Sequence, residues 1–120
     1  PDVAAHWREN WDLSHIVARD WQTLGPRLRG KLHFAVGRRD NYYLEQAVYL
    51  MEERLVGLDD PPADATFQYG INGRHSWIGH SPNDPSQQMK YREFIHVISQ
   101  FVTTHAPEGV DTSTWAVPAD

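Results

Sequence analysis

Two short apolar runs separated by a helical pattern limit what this chain can fold into. Lys31-Leu-His-Phe-Ala-Val36 lies between Gly30 and Gly37, with the length and bounding of a buried strand. Ala65-Thr-Phe-Gln-Tyr69 reads as a second strand, closed by Gly70. Between them, residues 41 to 56 place Leu44, Ala47, Val48, Met51 and Leu55 on one helical face and leave Glu45, Glu52, Glu53 and Arg54 for the other. Pro61-Pro62 ends that helix, because proline lacks an amide donor and restricts the residue before it. Strand, helix, strand in this order is a βαβ unit, whose strands are expected to be parallel and joined by a right-handed crossover.

The flanks predict further helices. Leu13, Ile16, Val17 and Leu24 repeat at helical spacing, which gives a helix from about Ser14 to Leu24, capped by Asp12 or Ser14 and stopped by Gly25-Pro26. Residues 70 to 85 read as a long loop, and Asp84-Pro-Ser-Gln87 fits a capping box opening a last helix. Tyr91, Phe94, Ile95, Ile98, Phe101 and Val102 form the apolar face of that helix. The expected organisation is an α/β unit over residues 1–105 and an irregular tail over 106–120, poorly ordered or draped, in which only Val110, Trp115 and Val117 could serve as anchors. Two parallel strands are too few for a covered sheet. The remaining strands are expected from an upstream portion of the same protein or from a second copy of the chain.

Composition narrows the function. The 120 residues carry 11 basic and 16 acidic side chains, a formal net charge of −5, with no long basic run to neutralise phosphates. Nucleic acid is therefore not an expected partner. No apolar stretch is long enough to cross a bilayer, so no membrane partner is expected either. The chain has no cysteine, which removes disulfides, thiolate metal sites and cysteine nucleophiles.

Functional groups in an open α/β sheet gather beyond the carboxyl ends of the strands. Asp40 follows the first strand and His75 the second, so both would face one crevice. A carboxylate bonded to one imidazole nitrogen fixes the tautomer and stabilises the imidazolium formed when the other nitrogen takes a proton. Gly37-Arg-Arg-Asp40-Asn-Tyr-Tyr-Leu and Phe67-Gln-Tyr-Gly-Ile-Asn-Gly-Arg-His75-Ser-Trp77 resemble the last two strands and turns of α/β-hydrolases, in particular enterochelin-esterase-like and feruloyl-esterase-like enzymes. The resemblance covers roughly residues 28 to 105 and implies the carboxyl-terminal portion of an α/β-hydrolase fold. It also implies a small-molecule ester substrate, no cofactor, Asp40 as the acid of a catalytic triad and His75 as its histidine. The serine of such a triad precedes the acid in the chain. No Gly-x-Ser-x-Gly elbow occurs, and none of Ser14, Ser76, Ser81, Ser86, Ser99 or Ser113 has a strand before it and a helix after it. The chain alone is thus expected to be inactive.

Each residue has a second reading. Asp40 could simply cap the following helix, and His75 could be a solvated loop residue. Trp77 could line a substrate pocket or pack the loop. His75, His80 and Asp84 lie close in sequence, but no established ligand spacing occurs and no metal site is expected. The alternative function is a non-catalytic oligomerising or binding domain on a hydrolase-derived scaffold. Trp7, Trp11, Trp21, Tyr42 and Tyr43 could make an aromatic surface, but they are expected rather to cover apolar area, Trp7 and Trp11 being exposed only where the rest of the sheet is missing.

Overall fold

The structure is a computed structural model in which residues 2–115 are described. Its elements, in order, are α1 (Val3–Trp11), α2 (Leu13–Arg19), α3 (Trp21–Leu28), β1 (His33–Gly37), α4 (Leu44–Val56), β2 (Thr66–Gly70) and α5 (Tyr91–Thr104). They fall into two compact units, residues 1–77 and 78–120. The first unit is a small α/β fold whose strands are parallel as expected, in register from His33 opposite Thr66 to Gly37 opposite Gly70.

The strands alternate in burial. Phe34, Val36, Phe67 and Tyr69 turn to one face, where Phe34 and Phe67 stack 4.9 Å apart, while His33, Ala35, Thr66 and Gln68 are exposed on the other. Two strands were expected to be too few for a sheet covered on both faces, and here helical residues pack on the Phe34 and Phe67 face while the other is exposed. Among the described residues the sheet has two strands and no neighbour on either side. The core beneath the covered face is Trp21, Leu55 and Ala63, with Val17, Leu28, Leu32, Phe34, Met51 and Phe67 packed around it.

Three local expectations need correction. Gly25-Pro26 does not stop a helix: the single expected helix is two, α2 and α3, and both residues lie inside α3. Proline costs one backbone bond there, but the packing of Trp21 across Gly25 requires the helix to continue, since tertiary contacts override propensity. Asp12 does cap α2, accepting from the His15 amide at 3.1 Å. The chain before it, unassigned from sequence, is α1, capped by Asp2 and with no buried residue.

The buried stripe of α4 is also rotated. Glu45 and Leu55 are its buried residues and Leu44 is exposed, so glutamates assigned to the outer face point inward. Glu52 accepts the hydroxyl proton of Tyr69, and this contact together with burial pushes the tyrosine pKa up, burial being the larger cause.

In the second unit, Asp84 does not open the last helix. Its carboxylate accepts the Ser86 amide at 3.0 Å and hydroxyl at 2.7 Å, forming an Asx turn. That turn reverses the chain, so that Ser81 donates to the Gln87 carbonyl and Met89 to the Gly79 carbonyl. The helix begins seven residues after Asp84, at Tyr91. There Glu93 supplies the reach-back that Gln87 was expected to make, accepting the Lys90 amide at 2.7 Å, and it also takes the Ser81 hydroxyl at 2.7 Å and the Asn83 amide at 2.8 Å. These donors, the Lys90 amide first, hold the Glu93 carboxyl below the usual range. Ser99 ties the tail through the Trp115 carbonyl at 3.0 Å, and Val110 is exposed. Val117, the third expected anchor, lies outside the described residues.

Candidate functional site

The site forms where the turns after β1 and β2 meet. Gly37 ends the first strand and Gly73 sits in the turn after the second, and neither has room for a side chain: a Cβ on Gly37 would strike the Gly73 carbonyl group and the Arg74 oxygen. The close approach lets Arg38 donate to the Gly70 carbonyl at 2.8 Å and Arg39 to the Gly73 carbonyl at 2.9 Å. Two backbone bonds therefore lace the turns together and fix Asp40 relative to His75. A Gly37→Ala substitution pits a methyl group against backbone that cannot rotate away. It is expected to lower unfolding stability by about 3 kcal/mol, at the upper end of overpacking costs, as read from urea denaturation.

The two candidate residues meet. Asp40 Oδ2 lies 3.0 Å from His75 Nδ1. The Asp40 side chain is only 2% exposed while that of His75 is 48% exposed, so a buried anion grips a ring whose other half is open. Asp40 Oδ1 accepts the Tyr42 amide at 2.7 Å. Burial works to raise the carboxyl pKa, but the Tyr42 amide, the His75 ring and the Leu44 amide together outweigh it and hold Asp40 below its ordinary range. The carboxylate is thus ionised at neutral pH.

Asp40 is not the N-cap of α4. That position belongs to Tyr43, whose φ of 60° is left-handed and unusual for a tyrosine. The Asp40 carboxylate still accepts the Tyr42 and Leu44 amides at the helix start, and its Oδ2 meets the imidazole as well. No sequence signal marks Tyr43 for this role, since asparagine or glycine would be the ordinary choice.

Trp77 is buried, with its indole lying over Gly70 and Gly73, each of which would drive a Cβ into the ring. Those contacts are the packing role, and they press the β2 turn against the strand ends. Tyr42, not singled out as a site residue, sets its ring 4.7 Å from the His75 ring at 71°. Its place two residues after the acid was the only sequence signal available. Among the described residues, no three histidine or acidic side chains gather as a metal centre would need, and no helix is long and apolar enough to cross a membrane.

Comparison with protein-family models, with curated proteins and with solved structures finds no match to this chain. The local geometry is therefore what any assignment of function rests on. It is a buried carboxylate and a half-open imidazole, joined through Nδ1 at the carboxyl ends of two parallel strands.

Proposed function

We propose that the chain is the acid- and histidine-bearing carboxyl-terminal part of a serine ester hydrolase of the α/β-hydrolase kind, with the nucleophile supplied by an upstream segment of the same protein. The observation that supports this reading is the 3.0 Å contact between Asp40 Oδ2 and His75 Nδ1. A proton held on Nδ1 by the carboxylate leaves the Nε2 lone pair to act as base.

In the proposed reaction Nε2 takes the serine hydroxyl proton as the serine oxygen bonds to the ester carbonyl carbon. The tetrahedral adduct collapses, the carbon to alkoxide bond breaks, and Nε2 returns its proton to the departing alcohol. Water then repeats the sequence on the acyl serine and releases the acid. Asp40 stays ionised throughout and stabilises the imidazolium. The oxyanion donors, like the serine, belong to the upstream segment.

The test is p-nitrophenyl ester cleavage by a polypeptide extended upstream to include a nucleophile elbow. Turnover is expected, and His75→Ala is expected to abolish it. Turnover that neither His75→Ala nor Asp40→Asn diminishes would overturn the assignment. No turnover at all would favour the second reading, a non-catalytic domain that associates through exposed apolar surface, for which the exposed Trp7 and Trp11 side chains speak.

A further inference from the structure

The ring of Tyr42 touches His75, while the amide of Tyr42 holds Asp40. One residue therefore contacts both members of the pair, by two different chemical groups. The amide bond at 2.7 Å survives any substitution except proline, so the side chain can be examined separately. That side chain is spent on little else: Tyr42 is 64% exposed, yet its ring lies edge to face with the imidazole. An exposed aromatic ring ordinarily gains by burial. This one is held out in solvent by the turn from Asp40 to the left-handed Tyr43, and the ring it meets there is His75.

We infer that Tyr42 is a positioning residue for His75, its aromatic ring holding the imidazole in the orientation that keeps Nδ1 on Asp40 and presents Nε2 outward. The inference rests on the hydrolase reading for its catalytic meaning, but its physical content belongs to this chain. His75 is half exposed and its side chain has two rotatable bonds. A single hydrogen bond at one ring nitrogen leaves the imidazole free to swing, and swinging breaks that bond. A second contact at the ring, from a neighbour whose own backbone is fixed by the same carboxylate, removes that freedom. Aromatic pairs of this geometry carry enough energy to bias an orientation by roughly 2- to 10-fold. The contact is one between rings, with centroids 4.7 Å apart, so a phenylalanine should serve equally well.

Long-range proton to nitrogen correlation spectra of the 120-residue chain test the inference without any ester. At a pH of about 9, above the ordinary histidine range, the wild-type ring is expected to carry its proton on Nδ1. Tyr42→Ala should raise the proportion of the Nε2-protonated form roughly 2- to 10-fold, and Tyr42→Phe should restore the wild-type ratio. An unchanged ratio in Tyr42→Ala would overturn the inference while leaving the Asp40 contact intact. A ratio that shifts equally in Tyr42→Phe would overturn it in favour of the hydroxyl. Should the alanine variant lose its fold, Tyr42→Leu keeps the bulk without the aromatic edge and is read in the same way. An already averaged wild-type ring would overturn the Asp40 pairing and the inference together. In the extended, nucleophile-bearing polypeptide, Tyr42→Ala should lower kcat by the same factor and leave KM unchanged, and a change confined to KM would count against positioning.

Discussion

Asp40→Asn is expected to lower ester turnover by the nucleophile-bearing polypeptide by roughly 10⁴-fold with little change in KM, the scale on which a triad loses activity when its acid becomes an amide. Asparagine is nearly isosteric with aspartate and can still accept the Tyr42 amide, so the turn should survive. What changes is the group facing His75. An amide nitrogen there donates to Nδ1, which forces the imidazole proton onto Nε2, the nitrogen required as base. The same variant has a signature in the chain alone. Native Asp40 has its pKa below the ordinary 3.8, so its unfolded form binds protons more readily than its folded form. The stabilisation it contributes is full above 3.8 and drains away as pH falls through the lowered native value. Asp40→Asn should remove that part of the acid limb of the stability curve, as seen in urea midpoints collected across the acid range. An acid limb of wild-type shape would mean that the carboxylate gains nothing from its neighbours. A rate within tenfold of wild type would show that the carboxylate does not set the tautomer.

How much of this was legible in the sequence follows from what each signal measures. The βαβ order was readable because two short, glycine-bounded apolar runs flank a segment of helical periodicity that Pro61-Pro62 ends, and β1, α4 and β2 fall within three residues of their expected limits. The convergence of Asp40 and His75 was readable because parallel strands put their following turns on one edge. The faces were not readable. Glu45 and Glu52 lie on the same stripe of α4 as Val48 and Leu55, but a charged residue on a stripe is ordinarily taken as marking its boundary, and only the Tyr69 hydroxyl reveals why Glu52 turns inward. The start of α5 was misplaced for a similar reason. Asp84-Pro-Ser has the chemistry of a helix cap and of an Asx turn alike, and the choice depends on the antiparallel bridge between His80 and Gln88, which no local window contains. Tyr43 illustrates the remaining case, a left-handed residue whose cost is met by the surroundings of a site and which leaves no mark in composition.

The tryptophans separate sequence from structure most sharply, and they carry the largest stability effect expected here. Trp7, Trp11 and Trp21 all lie within the first 21 residues, yet Trp21 is 4% exposed while Trp7 and Trp11 lie open on α1. Trp21 spans the layer between α3 and α4. Its indole crosses Gly25 so closely that a Cβ there would overlap the ring, its edge meets Leu55 and Ala63, and its Nε1 donates to the Pro61 carbonyl at 2.8 Å. Trp21→Ala thus removes a large apolar body, opens a cavity under both strands and strips the part-buried Pro61 carbonyl of its donor. The expected loss is about 3–5 kcal/mol, a large share of the roughly 5–15 kcal/mol that ordinarily separates folded from unfolded domains. A sheet with one uncovered face has little to spare, so the variant should be largely unfolded by circular dichroism at room temperature. Trp7→Ala, which removes the same side chain from solvent, should shift the urea midpoint by no more than about 0.5 kcal/mol equivalent. Equal effects from the two substitutions would mean that α1 is packed against something in solution and that the core does not centre on Trp21. A tolerated Trp21→Ala would further show that Pro61 and Gly25 need no aromatic neighbour, which the exclusion of a Cβ at Gly25 argues against.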